Sequence, residues 1–462
     1  MRKILLFTFT CSAVLFSAAP GRESKSYFKD GFLDTLQHRT FNYFWNCVDP
    51  TTGLTPDRFP TKTFSSTAAI GFALTSYGIG AERNYVSRQA AAERALTTIR
   101  FLYTRAQGDA VMGTAGYRGF FYHFLDFGTG TRFNKEIELS SIDTALLLAG
   151  VLFCQSYFDR GTPTERDLRA YADSMYRRIE WKWLQVRPPL ISMGWYPDKG
   201  IHQADWRGYD ESMILYILAL GSPTSAVNKD AWDGFAKNFM WLSYFNESFV
   251  SFGPLFGHQY SHVWIDFRGI QDSYMKEKGI DYFENSRRAT LTHRAYAKAN
   301  PKKMRGFSEN IWGFSACDGP ADESVVVDGI RHQFMTYAAR GVSADWVNDD
   351  GTIAPTAAGG SVAFAPEICV PALKTMRDSI PGLWTEYGFL DAFNQTYVTG
   401  RTPNGWVDHD YLGIDQGPIV VMIENLRSGL VWNVMKKNPY IITGLRRAGF
   451  TGGWLETKSP KR

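Results

Sequence analysis

The sequence predicts an all-α protein in which amphipathic outer helices surround apolar inner helices, as in a helical toroid. Apolar residues recur with a period of 3.6 through most of the chain after its first 20 residues. Segments starting near Ile142, Glu211 and Pro418 are apolar nearly all round, which helices packed on every side require. Strand-helix alternation typical of parallel α/β folds is not seen. A helical bundle of another topology would share this periodicity.

The helical segments follow one another along the whole chain. In order they are Phe28–Trp45, Thr67–Ile79, Ser87–Tyr103, Ile142–Phe158, Thr164–Leu184, Glu211–Leu220, Ala231–Phe239, Phe283–Ala299, Glu367–Ser379 and Pro418–Lys437. Long irregular connections run from Ser251 to Asp281 and from Gly306 to Ala365, and loops of this length are usually functional. Because no linker-like stretch interrupts the pattern, we expect a single catalytic domain over residues 21–462.

The N-terminus has the pattern of a secretory signal peptide. Arg2 and Lys3 precede an apolar run that ends in small residues, so residues 1–19 are predicted to direct export to the periplasm. No later segment reaches about 18 uninterrupted apolar residues, so we expect a soluble mature protein without a membrane span. Cleavage leaves 48 basic against 46 acidic residues, a net charge of +2 instead of +4, which makes nucleic acid an improbable partner. We expect a monomer.

Aromatic residues make up 15% of the chain, and their flat apolar faces suit sugar rings, although a large aromatic core explains most of them. The cysteines after the leader are far apart and form no CxxC pair, which disfavours zinc. We expect mostly buried free thiols at Cys47, Cys154, Cys317 and Cys369.

Asp210 and Glu211 stand together at the head of an apolar helix in "WRGYDESMILYILALG". An N-terminal cap accounts for one carboxylate, and the helix dipole favours another. A carboxylic acid facing an aromatic cleft would instead have a raised pKa, as a general acid needs. We interpret Asp210 as cap and positioner and Glu211 as the acid.

A second acidic segment is "WVDHDYLGIDQGPIVVMIEN". Pro418 fits a first helical turn, so the cap is expected near Gly417 and Asp415 lies too early to cap. Asp415 is therefore a catalytic candidate, with turn formation as its competitor, and Asp408 and Asp410 are nearby alternatives.

Asp143, in "EIELSSIDTALLLAG", is a weaker catalytic candidate. Ser140 or Ser141 is a good N-cap and places Asp143 in the first helical turn, where local helix chemistry explains it. A catalytic or substrate-binding role for Asp143 stays open.

The loop "GHQYSHVWIDFRGIQD" places His258, His262 and Asp266 at intervals of four residues, as metal ligands on one helix face would be. Gly257 and Gly269 indicate a loop instead, and the glutamate of HExxH is absent. We therefore expect no metal, and interpret these side chains as sugar-binding or packed.

Several long motifs, in this order, resemble the glycoamylase-like family, and within it the β-1,2-glucanases of glycoside hydrolase family 144. They are "GHQYSHVWIDFRGIQD", "ENSRRATLTHRAYA", "IWGFSACDGP", "APTAAGGSVAFAPE" and "GIDQGPIVVMIENLRSGLVW". The resemblance implies an (α/α)6 toroid, hydrolysis of β-1,2-glucan to short oligosaccharides such as sophorose, and an inverting mechanism without a cofactor.

The resemblance also implies roles for residues. Glu211 matches the general acid and Asp415 the general base, with Asp408 as the substitute. Predicted glucan contacts, besides Asp210, are His262, Asp266, Arg287, Trp312 and Asp318.

Other functions remain open at this stage. A polysaccharide lyase would use Arg287, Arg288 and His262 on uronates, and a glucoamylase-like enzyme would cleave α-glucan. A periplasmic glucan-binding protein would bind without forming new reducing ends.

Overall fold

A computed structural model describes residues 29–456, so the predicted signal peptide lies outside the described residues. The α-helices are α1 Gly31–Asn46, α2 Thr67–Glu82, α3 Arg88–Thr104, α4 Ser141–Tyr157, α5 Pro163–Arg177, α6 Met213–Gly221, α7 Ala231–Ala236, α8 Phe256–Trp264, α9 Ser273–Lys278, α10 Tyr282–Ala299, α11 Pro355–Gly359, α12 Pro366–Ser379, α13 Gly413–Arg427, α14 Leu430–Met435 and α15 Pro439–Arg447. Two 3₁₀ turns, Trp181–Leu184 and Gly453–Leu455, complete the helical structure of this part of the chain.

Short strands connect the helices. They are β1 Arg58–Phe59, β2 Ser65–Ser66, β3 Gly116–Tyr117, β4 Phe120–Tyr122, β5 Phe124–Leu125, β6 Leu139–Ser140, β7 Gly194–Tyr196, β8 Gly200–Ile201, β9 Trp241–Tyr244, β10 Glu247–Val250, β11 Ala316–Cys317, β12 Ser324–Val327, β13 Ile330–Gln333, β14 Ala338–Ala339, β15 Gly341–Val342, β16 Val347–Asn348, β17 Thr352–Ile353, β18 Trp384–Thr385, β19 Gly388–Phe389, β20 Phe393–Asn394, β21 Trp406–Val407 and β22 Tyr411–Leu412. The largest sheet is antiparallel with the order β3-β4-β6-β7-β8. The prediction of a mostly helical chain is confirmed, but these strands were not predicted.

Helices α2, α4, α6 and α13 are buried on nearly every side. α2 packs against α4 and α13. Its contact with α4 needs glycine, because a Cβ at Gly150 would lie 2.1 Å from the carbonyl oxygen of Gly71. Where two helix backbones touch in this way, no side chain between them can reach solvent or a substrate. Only the ends of these helices are therefore available for contact with a substrate.

Several helix boundaries and one loop differ from the sequence prediction: the segment predicted as Thr164–Leu184 ends as a helix at Arg177, and the segment predicted as Pro418–Lys437 is divided between α13 and α14. Residues 256–264 form α8 rather than a loop, because a Cβ at Gly257 would meet the ring of Phe252 at 2.3 Å, and the glycine allows close packing. Gly417 has the same role against Phe72, so it is no cap, and α13 already begins at Gly413. The helix after Glu211 begins at Met213, two residues later than predicted.

One continuous set of buried apolar side chains extends from α1 to the 3₁₀ turn at Gly453–Leu455. The four predicted free thiols are confirmed as unpaired and buried. No helix between residues 29 and 456 is both long and apolar enough to cross a membrane.

A buried ion pair ties α13 to the first two helices. The carboxylate of Glu424, fully buried, accepts bonds from Arg83 at 2.7 and 2.8 Å and from Gln37 at 2.8 Å. Ser428 donates a further bond at 2.5 Å. Such a pair is strongly destabilising to break, because the remaining charge stays buried.

Arg83→Met is therefore expected to lower the free energy of unfolding by about 3–5 kcal/mol, measured by denaturant unfolding. Arg177→Met is the control, since its pair with Asp173 is exposed and should contribute little to stability. Adding Glu424→Gln to Arg83→Met should recover part of the loss. Equal effects of Arg83→Met and Arg177→Met would contradict this account.

Candidate active site

A cavity of about 400 Å³ opens at the N-terminal ends of α4, α6, α8 and α13. Its wall includes Asp143, Glu211, Phe256 and Ile414, each at or next to the start of one of these helices. The ends of helices that are distant in the sequence thus meet at one place.

Glu211 lines this cavity, and its carboxyl group has no hydrogen-bond partner among the described residues. Its backbone is fixed by Ser261 of α8, whose hydroxyl donates to the Glu211 carbonyl at 2.9 Å and accepts from the Ile214 N–H at 2.9 Å. A fixed backbone with a free carboxyl group is a suitable arrangement for a proton donor.

Asp210 acts differently from the N-cap that the sequence predicts. Its Oδ1 accepts bonds from the N–H of Ser212 at 2.9 Å and the hydroxyl of Ser212 at 2.5 Å, while Ser212 occupies the N-cap position. Asp210 therefore forms a local turn before the helix, and its prediction as a simple cap is wrong because the helix starts later.

Burial raises the pKa of both neighbouring carboxyl groups. For Glu211, burial raises the pKa to about 8, and the negative charges of Asp210 and then Asp143 contribute. Desolvation disfavours the charged form, so Glu211 is held in its protonated form near neutral pH.

Asp143 lies on the same wall, and burial raises its pKa although the charge of His123 and the hydrogen bond from Ser140 oppose that shift. Its Oδ1 is 3.5 Å from Nε2 of His123, and Ser140 donates to its Oδ2 at 2.5 Å. Nδ1 of His123 is 2.7 Å from Glu138. Although burial lowers the pKa of His123, Asp143 and Glu138 raise it to about 9, so an imidazolium lies between two carboxylates. Ser140 is the N-cap of α4, as predicted.

Asp415 lies in the first turn of α13, with 2% of its surface exposed. Neither of its carboxyl oxygens has a hydrogen-bond partner in the described part of the chain. Burial raises its pKa to about 7. The pKa of Tyr260, a cavity residue, is raised by burial and then by charges that include both Asp415 and Glu211, so Tyr260 lies near both acids.

Asp415 belongs to a group of carboxylates that we call the acidic cluster, formed by Asp57, Asp318, Asp391, Asp408, Asp410 and Asp415. Arg58 provides positive charge, at 2.7 Å from Asp318 and 3.4 Å from Asp57. Burial and the charges of its neighbours raise the pKa of Asp391 well above its usual range. If all six carboxyl groups were ionised, Arg58 would balance only one of their charges, which favours protonation of some of them or binding of a ligand.

Within residues 29–456, two groups of side chains have ligand atoms close enough to hold a metal ion. They are His123 with Glu138 and Asp143, and Asp318 with Asp391 and Asp408, each set within 4.8 Å. Oxygen ligands in the second set suit a hard divalent cation. The absence of a metal requirement remains a prediction.

Four predicted glucan contacts lie away from the cavity. His262 is fully buried 3.1 Å from the Ser286 hydroxyl, and Trp312 is fully buried in the core. Asp266 follows the C-terminal end of α8 and pairs with Arg268 at 2.7 Å. Arg287 pairs with Glu367 at 2.6 Å. Each of these side chains already has a structural role, so the binding roles predicted for them are not supported.

The locations of these side chains also argue against two alternative interpretations, a polysaccharide lyase and a metal site. A lyase would need Arg287, Arg288 and His262 at the substrate, but Arg288 pairs with Glu284 at 2.9 Å and His262 is buried. The metal set of His258, His262 and Asp266 is not assembled, because His258 bonds to the Phe252 carbonyl at 3.1 Å and Asp266 is engaged by cations.

Several residues of the site were not predicted. His123, Glu138, Tyr260 and Tyr337 line the cavity, and Asp391 lies in the acidic cluster. His123 directly follows β4 and Glu138 directly precedes β6, so the pairing of these two strands before α4 places the two side chains next to each other. Recognition of that strand pair in the sequence would have identified both residues.

Comparisons with known proteins show which family and which structures this chain resembles. The Glycoamylase family model, described as "Putative glucoamylase", matches residues 203–439. A structure of a "putative glucoamylase" from Bacteroides uniformis is 31% identical with a TM-score of 0.79, and covers 92% of this chain and 98% of that one. An endo-β-1,2-glucanase from Chitinophaga pinensis, in complex with sophorotriose and glucose, is 27% identical with a TM-score of 0.79, and covers 94% and 99%.

A curated relative, the exo β-1,2-glucooligosaccharide sophorohydrolase (non-reducing end) of Parabacteroides distasonis, is 27% identical over 449 residues. The match covers 90% of this chain but only 57% of the relative's length. The resemblance identified from the sequence motifs is confirmed: the chain belongs to the Glycoamylase family.

Proposed function

We propose that this protein is a glycoside hydrolase that cleaves β-1,2-glucan to short oligosaccharides such as sophorose. The observation that carries the proposal is the carboxyl group of Glu211, which is desolvated, free of protein partners and open to the cavity. Relatives with solved structures or curated names act on β-1,2-glucan or its oligosaccharides, which supports this substrate.

The proposed mechanism is inverting. Glu211 protonates the glycosidic oxygen while a carboxylate activates water on the other side of the sugar, which requires the two groups to stand about 6.5–9.5 Å apart. Asp415 is the proposed base, and its location on a different helix from Glu211 supports this division of roles. No cofactor takes part in the proposed reaction.

The proposed architecture is an (α/α)6 toroid whose inner ring consists of α2, α4, α6, α8, α11 and α13. Burial of these helices and the cavity at the N-terminal ends of α4, α6, α8 and α13 support it. Export to the periplasm by residues 1–19 and a monomeric state are part of the same proposal.

Glu211→Gln should lower kcat on β-1,2-glucan by at least about 10²–10⁴-fold, because a general acid contributes that much and the glutamine amide is far too weak an acid to replace it. Released reducing ends are the measurement, with starch and laminarin as comparison substrates. Asp378→Asn, an exposed carboxyl group, is the control and should leave the rate unchanged. A folded, fully active Glu211→Gln protein would refute the assignment, as would rapid starch hydrolysis without action on β-1,2-glucan.

Asp143 is the second candidate base, favoured because it lines the cavity. If Asp415 is the base, Asp415→Asn should reduce kcat about 10²–10⁴-fold with little change in KM, whereas Asp143→Asn should mainly raise KM. Steady-state kinetics of the two variants separates the roles. The reverse pattern would transfer the role of the base to Asp143.

The pH dependence should reveal the coupling between Asp210 and Glu211. A general acid works only when protonated, so activity should fall as pH rises through the pKa of Glu211. The negative charge of Asp210 raises that pKa, so Asp210→Asn should shift the alkaline limb of kcat/KM to lower pH and leave the acidic limb in place. Asp378→Asn should move neither limb. An unmoved alkaline limb in Asp210→Asn would contradict the coupling.

A further inference from the structure

A second cavity of about 610 Å³ lies beside the first one. Phe256, the first residue of α8, lines both cavities. Asp210 lines the second cavity and Glu211 lines the first, so the N-terminal end of α6 separates the two cavities. A glucan chain that is cleaved at Glu211 in the first cavity therefore lies directly beside the second cavity.

The second cavity has an aromatic wall. Trp346 is 41% exposed, in contrast to the fully buried Trp181, Trp232, Trp264, Trp312 and Trp432. Its ring lies directly against the backbone of Gly253, where a Cβ would meet the ring at 2.3 Å. An exposed indole held in place offers a flat apolar face at small entropic cost.

The turn that carries Trp346 is fixed by hydrogen bonds. Trp346 lies between β15 and β16, and its carbonyl accepts a bond from the Ser343 N–H at 2.8 Å. Oδ1 of Asp345 accepts bonds from Ser251 at 2.5 Å and Ser343 at 2.9 Å. The turn that carries Trp346 is therefore held by hydrogen bonds within the protein that need no ligand.

Polar groups around the indole have unused hydrogen-bonding capacity. Arg207 and Asn238 line the cavity, and their side chains have no hydrogen-bond partner within residues 29–456. Oδ2 of Asp345 and Oδ2 of Asp210 likewise accept no bond within that range. A flat apolar face surrounded by free donors and acceptors matches a pyranose ring, which has apolar C–H faces and hydroxyl groups at its edge.

We propose that the second cavity binds a further glucosyl unit of the same β-1,2-glucan chain, stacked on Trp346, so that this residue sets the preference for longer substrates. The proposal rests on the proposed function. Because the site is separate from Glu211, it should affect binding of the chain rather than the chemical step.

The test is kcat/KM of wild type and Trp346→Ala on β-1,2-gluco-oligosaccharides of increasing length. The variant should lose about tenfold on chains long enough to reach both cavities and nothing on the shortest substrate that is cleaved. Trp346→Phe should recover part of the loss. Val347→Ala is the control, since Val347 is exposed on the same hairpin but does not line the cavity.

Calorimetric binding of the same oligosaccharides to Glu211→Gln protein, with and without Trp346→Ala, gives a second measurement that needs no turnover. Weaker binding confined to the longer chains supports the subsite. Equal losses at every length, or none at any length in an active enzyme, would overturn it. A wild-type protein that neither cleaves nor binds β-1,2-glucan would instead refute the proposed function.

Discussion

A helix that is buried on every side can present only its ends to a substrate. α2 and α4 show this constraint directly, because the backbone contact between Gly71 and Gly150 leaves no side-chain face between them. The N-terminal end of such a helix has unpaired N–H groups and favours negative charge. Asp143, Glu211 and Asp415 all lie at or next to such ends. The position of the site is therefore a consequence of how the core is packed.

The same burial gives each carboxyl group a different environment. Asp143 lies beside the imidazolium of His123, which favours its charged form, whereas Glu211 lies beside Asp210, which disfavours it. Asp415 is surrounded by further acids with Arg58 as a nearby cation. Environments that separate the pKa values of neighbouring carboxyl groups are how one site holds both an acid and a base.

The sequence allowed the apolar helices and the acids at their heads to be identified, because both depend on local periodicity and on residues next to a helix start. It did not allow the loops to be interpreted. Local sequence predicts a loop at Gly257 and a cap at Gly417, but each glycine makes room for a phenylalanine ring. The ring is that of Phe252, nearby in sequence, for Gly257 and that of Phe72, distant in sequence, for Gly417. Whether Trp312 or Trp346 is exposed depends on tertiary packing, which periodicity does not report.

The long connection between α10 and α11 reaches every part of the site. It supplies Asp318 to the acidic cluster, Tyr337 to the first cavity and Trp346 to the second. A connection of this length needs internal support, and Arg340 provides it. This fully buried guanidinium binds Asp350 at 2.8 Å and donates to backbone carbonyls at both ends of the hairpin β12–β13, those of Cys317, Met335 and Thr336. These bonds stabilise the connection internally. Its outward-facing side chains are therefore free to contact substrate without any contribution to the packing of the helical core.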